Sequence, residues 1–217
     1  MGLKIKICGI TNGNDARAAI AAGADALGFI FYEQSPRHIS IAAVAKIARE
    51  LPPFVSRVGV FVDPTEKLIA EAQAECGLDA LQFHGQESPA FCEQFANYKI
   101  IKSFRIQNAE SLRALPAYQT TAWLLDSHVP GQLGGTGTQF NWELAGEARK
   151  LGRPIILAGG LTASNVAEAV RKVQPYAVDV STGVESAPGR KDPGKLREFI
   201  TAVRKADSPD RELPRFT

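Results

Sequence analysis

The chain lacks any apolar run near the roughly 20 residues that cross a bilayer, and lysines interrupt even its opening stretch Met1-Gly-Leu-Lys-Ile-Lys. A helical membrane span is therefore excluded, and the opening does not have the layout of a signal peptide. Lys6 stands where a myristoylation signal calls for Ser or Thr, which argues against a lipid anchor. Cysteine is scarce: three residues, Cys8, Cys76 and Cys92, odd in number and far apart. That pattern excludes a disulfide framework and fits a reducing, cytoplasmic setting. No zinc-ligand spacing is present. Charge of one sign is lacking too, with 25 basic and 23 acidic residues giving a net charge of +2. The basic residues are scattered, which argues against a nucleic-acid partner.

What is present is a composition for one soluble domain. The 217 residues are 45% hydrophobic and 22% charged, enough for a substantial core. Apolar strand-like runs fall at 3–8, 26–30, 57–61, 80–83, 100–104, 122–125, 155–158 and 177–180. Helical patterns lie between and after them at 15–22, 41–50, 65–76, 90–95, 109–115, 142–150, 165–173 and 194–205. Nearly continuous apolar strands imply burial on both faces, as in a parallel sheet. About eight strand–helix repeats in this length predict an α/β, single-domain TIM (β/α)8 barrel over 1–205, with a loose tail at 206–217. A doubly wound sheet fits the same spacing, but its early glycine-rich dinucleotide fingerprint is missing. Asn14, Ser88 and Ser164 are expected helix caps, Pro64 and Pro89 mark helix starts, and Gly23 and Gly77 mark stops.

Two late segments carry the clearest chemical signal. Ile155-Ile-Leu-Ala-Gly-Gly160 and Ala177-Val-Asp-Val-Ser-Thr-Gly183 are compact strands ending in small, glycine-bearing residues. Such loops let backbone N–H groups converge on an anion. After strands seven and eight of a TIM barrel they form a phosphate cradle, here Gly159, Gly160, Ser181, Thr182 and Gly183. The long loop at 126–140, with Gly131, Gly134, Gly135 and Gly137, reads as a lid that adds to the anion site. A small phosphorylated metabolite is the expected partner.

Cys8 ends strand one. Alternation places Lys4, Lys6 and Cys8 on one face, toward the barrel interior, where a neighbouring ammonium favours the thiolate, or the thiol is simply a small buried hydrophobe. Asp126 ends strand six, where a partly buried carboxylate can exchange a proton, or a solvated aspartate can open a turn. Arg37, on the long loop after strand two, either offers a bidentate fork to a substrate carboxylate or is a surface arginine. Asp179 looks inward and either positions a substrate N–H or O–H or pairs with Lys4 or Lys6. His84 either lines the pocket or supports a residue that does. Cys76 and Cys92 read as packing residues, and His38 and His128 carry no assigned chemistry.

KICGIT (6–11), SPRHIS (35–40), QFHG (82–85), LLDS (124–127), GGTG (134–137), LAGGL (157–161) and DVSTGVE (179–185) together resemble the phosphoribosylanthranilate isomerase family. They occur in the family's order and span nearly the whole chain before the tail. The resemblance implies a TIM barrel of tryptophan biosynthesis that performs an Amadori rearrangement without metal or organic cofactor. It implies Cys8 as general base, Asp126 as general acid and Arg37 near the anthranilate part of the substrate. Phe83 departs from the more usual Leu in QFHG. A sister barrel that closes an indole ring uses strand-end Lys and Glu residues, which are not evident here. A barrel that only binds a phosphorylated ligand would not need the thiol and carboxylate. The sequence leaves oligomeric state open between monomer and homodimer.

Overall fold

The computed structural model describes residues 2–126 and 142–207. Eight parallel strands close into a barrel in chain order: β1 (Lys4–Cys8), β2 (Ala26–Ile30), β3 (Ser56–Phe61), β4 (Ala80–Phe83), β5 (Ile100–Arg105), β6 (Ala122–Asp126), β7 (Ile155–Ala158) and β8 (Ala177–Val180). Closure comes from β1 pairing with β8, with Lys6 beside Asp179, while Cys8 lies beside Gly28 of β2. Around the barrel stand α1 (Gly13–Ala22), α2 (Ile41–Ala48), α3 (Glu66–Cys76), α4 (Pro89–Glu93), a 3₁₀ helix at Ala109–Ala117, α5 (Trp142–Arg149), α6 (Val166–Val173) and α7 (Pro193–Ala206). A short hairpin, β9 (Glu185–Ala187) and β10 (Arg190–Lys191), follows β8.

Two layers divide the apolar residues. Ile5, Ile7, Phe29, Leu81, Phe83 and Trp123 are fully buried between strands and helices. Each such side chain contributes roughly 1.5–3 kcal/mol by leaving water. Phe83 belongs to this outer layer and packs on Phe91 and Phe95 around α4. The second layer is the lumen, filled in part by Val58, Ile101, Ala122, Leu124, Ile156 and Ala177. Alternation along each strand produces both layers at once.

Several local expectations are corrected. The cap of α1 is Asn12, not Asn14: its side chain accepts the Asp15 N–H at 2.9 Å. Thr65, one residue after Pro64, caps α3 through the Leu68 N–H. Ser164 gives way to Asn165 before α6, and the Asn165 side chain turns back to accept the Thr162 N–H at 2.8 Å. Ser88, Gly23 and Gly77 act as expected. The expected helix at 109–115 is a 3₁₀ segment with Pro116 inside it. Proline supplies no N–H and clashes with the preceding α-turn, so the tighter winding prevails there.

The long connection after β6 lies outside the described residues, and with it Gly135, the other glycines of that loop and His128. Within the expected tail, Ala206 still belongs to α7, and the Asp207 carboxylate accepts the Leu3 N–H at 2.7 Å. Residues 208–217 are likewise outside the described part.

Candidate active site at the carboxyl rim of the barrel

The lumen changes character along its axis. Above the apolar layer, Lys6, Gln82, Ser103 and Asp179 are all buried. Lys6 Nζ donates to Asp179 Oδ1 at 2.8 Å, with both side chains nearly excluded from solvent. Lys4 does not join them: it pairs with Asp25 at 3.2 Å and is partly exposed. Only one of the two lysines expected in the lumen is therefore there, and Asp179 takes Lys6 as its partner.

Cys8 ends β1 on the Lys6 face and is buried. Its niche exists because β2 carries Gly28 at that level. A Cβ on Gly28 would stand 2.9 Å from Cys8 Sγ and 3.1 Å from Lys6 Nζ. Burial raises the Cys8 pKa above its ordinary value, and the pull of the Lys6 and Lys191 ammoniums reduces that rise without reversing it. Between the two readings of Cys8, burial thus weighs more than the neighbouring ammonium. Burial also works against the Lys6 ammonium, but Asp179 and Cys8 outweigh it and hold its pKa above the lysine norm.

Arg37 reaches the same rim from the loop after β2, with its fork engaged. Nε donates to Glu185 Oε1 at 2.8 Å and Nη2 to Oε2 at 2.7 Å. Lys191 of β10 donates to the same Glu185 Oε1 at 2.8 Å. Burial penalises the Glu185 carboxylate, yet its bonds from Arg37 and Lys191 hold its pKa below the usual carboxylate range.

Asp126 ends β6 on the face of Ala122 and Leu124, the lumen face. His84 follows β4, and its Nε2 lies 3.5 Å from Asp126 Oδ2. Below it, Gln82 Nε2 lies 3.2 Å from His84 Nδ1 and donates to Ser103 Oγ at 3.1 Å. The His84 ring thus stands between Gln82 on its Nδ1 side and Asp126 on its Nε2 side. The histidine is therefore placed beside the carboxylate by two buried side chains.

The glycine loops after β7 and β8 are in contact. A Cβ on Gly183 would overlap the Leu161 carbonyl oxygen, so only glycine lets the loops close to this distance. Gly159 and Gly160 both have left-handed backbone, with φ of 85° and 60°. The Gly160 carbonyl accepts from Asn165 Nδ2 at 3.0 Å, which ties the first loop to the start of α6. Ser181, Thr182 and Gly183 begin the second loop, where a one-turn 3₁₀ helix spans Thr182–Val184. Among the described residues no His/Cys/Asp/Glu group has the arrangement of a metal site.

Residues 5–202 match the family profile described as N-(5'phosphoribosyl)anthranilate (PRA) isomerase. The chain belongs to this family. An N-(5'-phosphoribosyl)anthranilate isomerase from Geobacter sp. (strain M21) is 54% identical over 202 residues, which cover 93% of this chain and 98% of the relative. The phosphoribosyl anthranilate isomerase of Thermotoga maritima has a solved structure similar to this one at TM-score 0.89 and 40% identity, covering 94% of this chain and 99% of that one. A phosphoribosyl anthranilate isomerase in complex with reduced 1-(o-carboxyphenylamino)-1-deoxyribulose 5-phosphate gives TM-score 0.85 at 38% identity, with 94% and 99% covered. The chain is thus an isomerase on a TIM barrel.

For a phosphoribosylanthranilate isomerase, sequence reasoning found the rim but not its wiring. Glu185 and Lys191 were not singled out, although they complete the charged group around Arg37. Gln82 was quoted only within a motif, and Ser103 not at all. Their signal was a polar residue at a lumen position of an otherwise apolar strand, which is costly unless it is hydrogen-bonded.

Proposed function

We propose that this chain converts N-(5-phosphoribosyl)anthranilate to 1-(o-carboxyphenylamino)-1-deoxyribulose 5-phosphate in tryptophan biosynthesis, with Cys8 as general base and Asp126 as general acid. The observation that carries the reading is the rim geometry: a thiol ending β1 and a carboxylate ending β6, both on the lumen face of one barrel. The solved relative that holds a reduced form of this product supports the substrate class.

Asp126 gives a proton to the furanose ring oxygen. The C1–O bond breaks as the nitrogen lone pair forms an iminium. The Cys8 thiolate then takes the C2 proton, and the C2–H electrons flow into the iminium to give an enolamine. Tautomerisation returns a proton at C1 and yields the ketone, so atoms balance and no redox partner is consumed. The iminium is the electron sink, which is why a thiolate base suffices and the scheme needs no cofactor. Acid–base groups so placed each contribute about 10²–10⁴-fold. Gly135, Gly159, Gly160, Ser181, Thr182 and Gly183 hold the phosphate. Arg37 takes the anthranilate carboxylate, and His84 and Asp179 line the sugar. Phosphate binding is spent on holding C2 at the base and the ring oxygen at the acid. The substrate is a small molecule, with no nucleic-acid or membrane partner. A homodimer is supported by the Thermotoga maritima relative, which is described as dimeric, and a monomer is the other form. Three free cysteines support a reducing cytoplasm.

The test mixes purified protein with the fluorescent aminoribosyl substrate. Loss of anthranilate fluorescence with no indole formed supports isomerisation. Unchanged fluorescence, or indole in the product, contradicts it.

A further inference from the structure

The rim holds more buried charge than one base and one acid require. Lys191, on the β9–β10 hairpin, has a side chain with 0% exposure. Its Nζ is fixed by Glu185 Oε1 at 2.8 Å and by the Ser181 carbonyl at 3.3 Å, with Ser181 Oγ at 3.5 Å. Ser181 Oγ and the Arg37 stem in turn press on Gly9, the residue after Cys8: a Cβ there would be 3.2 Å from the hydroxyl and 2.7 Å from Arg37 Cδ. Ser181 therefore links the ammonium to the end of β1.

Charge counting shows what the group lacks. Its buried ion pairs bring three cations, Lys6, Arg37 and Lys191, against two carboxylates, Asp179 and Glu185. Against the hairpin α1 and α7 set one charge of each sign: Asp15 accepts the Lys191 N–H, and Lys195 donates to the Glu185 carbonyl; the hairpin's remaining charge, Arg190, is exposed. A thiolate at Cys8 would be the third anion and would bring the buried set to neutrality. We propose that Lys191 is a positioning residue for the isomerisation, its ammonium serving, with Glu185 and Ser181 as its holders, as the counter-ion of the Cys8 thiolate. Burial lowers the Lys191 pKa, and Glu185 and Cys8 oppose the change. The inference rests on Cys8 being the base.

The experiment follows kcat/KM against pH for wild type, Lys191→Met, Lys191→Arg and Glu185→Gln, alongside the pH dependence of Cys8 alkylation by iodoacetamide, read on the Cys8 peptide. Removing an opposite charge at short range moves a pKa by about 1–3 units. Lys191→Met should shift the alkaline rise of both curves upward by at least about one pH unit, a loss of about tenfold or more at neutral pH. Lys191→Arg should restore most of it, and Glu185→Gln should move the curves the opposite way. Superimposable Lys191→Met and wild-type profiles, or a uniform loss at every pH without a shift, would overturn the inference. If Lys191→Met does not fold, the Glu185→Gln shift decides alone: downward supports the inference, upward or none overturns it. An active Cys8→Ala would instead sink the base assignment itself.

Discussion

Two buried lysine–carboxylate pairs in this barrel have the same length and opposite character. Lys6–Asp179 in the lumen and Lys102–Glu87 outside it both measure 2.8 Å, with side chains almost wholly out of solvent. The outer pair is saturated by backbone. Lys102 Nζ also donates to the Gly85 carbonyl at 2.8 Å, and Glu87 accepts N–H groups from Asp63 and Gly85 at 2.9 and 3.0 Å. It locks the loops after β3 and β4 together and so fixes the base of His84. The lumen pair has a thiol for its neighbour, pressed against Gly28. A buried pair enclosed by backbone holds a fold; one that borders a titratable group sets a reactive environment.

The comparison is broken most sharply by Lys102→Met. It leaves Glu87 buried without its cation, and a loss of about 3–5 kcal/mol is expected in denaturant unfolding, with kcat of the folded fraction within about tenfold of wild type. Asp179→Asn should behave differently. Asparagine can still accept from Lys6, so stability falls less, but kcat/KM should drop about 10²-fold as the proposed contact of Asp179 with the sugar is weakened, while the alkaline rise should move to lower pH, because the Asp179 charge raises the Cys8 pKa. Equal profiles for the two variants in unfolding and turnover assays would erase the distinction. Gly28→Ala should cost about 1–3 kcal/mol by overpacking and lower turnover as well, since the new methyl displaces Cys8 or Lys6. For pH, the sign follows from a base that must lose its proton. Burial keeps the Cys8 thiol protonated beyond its ordinary range, so kcat/KM of the free enzyme should climb as pH rises through that raised pKa. The groups that set its position are Lys6, Arg37, Lys191, Asp179 and Glu185; a profile flat on the alkaline side would contradict this. The smallest effect belongs to the exposed pair Arg17–Glu50 on the outer surface, where Arg17→Ala should change stability by less than about 1 kcal/mol.

The barrel itself was legible because its strands are short apolar runs. Four of them, Ala26–Ile30, Ala80–Phe83, Ile155–Ala158 and Ala177–Val180, have the bounds read from the sequence. Period-two alternation also put Cys8 and Lys6 on the lumen face and Phe83 outside. Short-range competition was harder to read: Asn12 and Asn14 are equally good caps in composition, and only the structure shows which carboxamide meets an N–H. The hairpin Glu185–Lys191 has no periodicity to detect, and its strands are three and two residues long. Its partner Arg37 lies 148 residues away in sequence, so no local pattern could have joined them. The state of Cys8 stayed open for a related reason. Sequence shows that a lysine is near, but not how completely the barrel excludes water, and that exclusion outweighs the lysine.

The most direct test is the turnover of Cys8→Ala and Asp126→Asn on phosphoribosylated anthranilate, measured by fluorescence on protein shown to be folded by circular dichroism. The account requires each to lose about 10²-fold or more in kcat with the barrel intact. A folded Cys8→Ala or Asp126→Asn that turns over substrate at nearly the wild-type rate would contradict it.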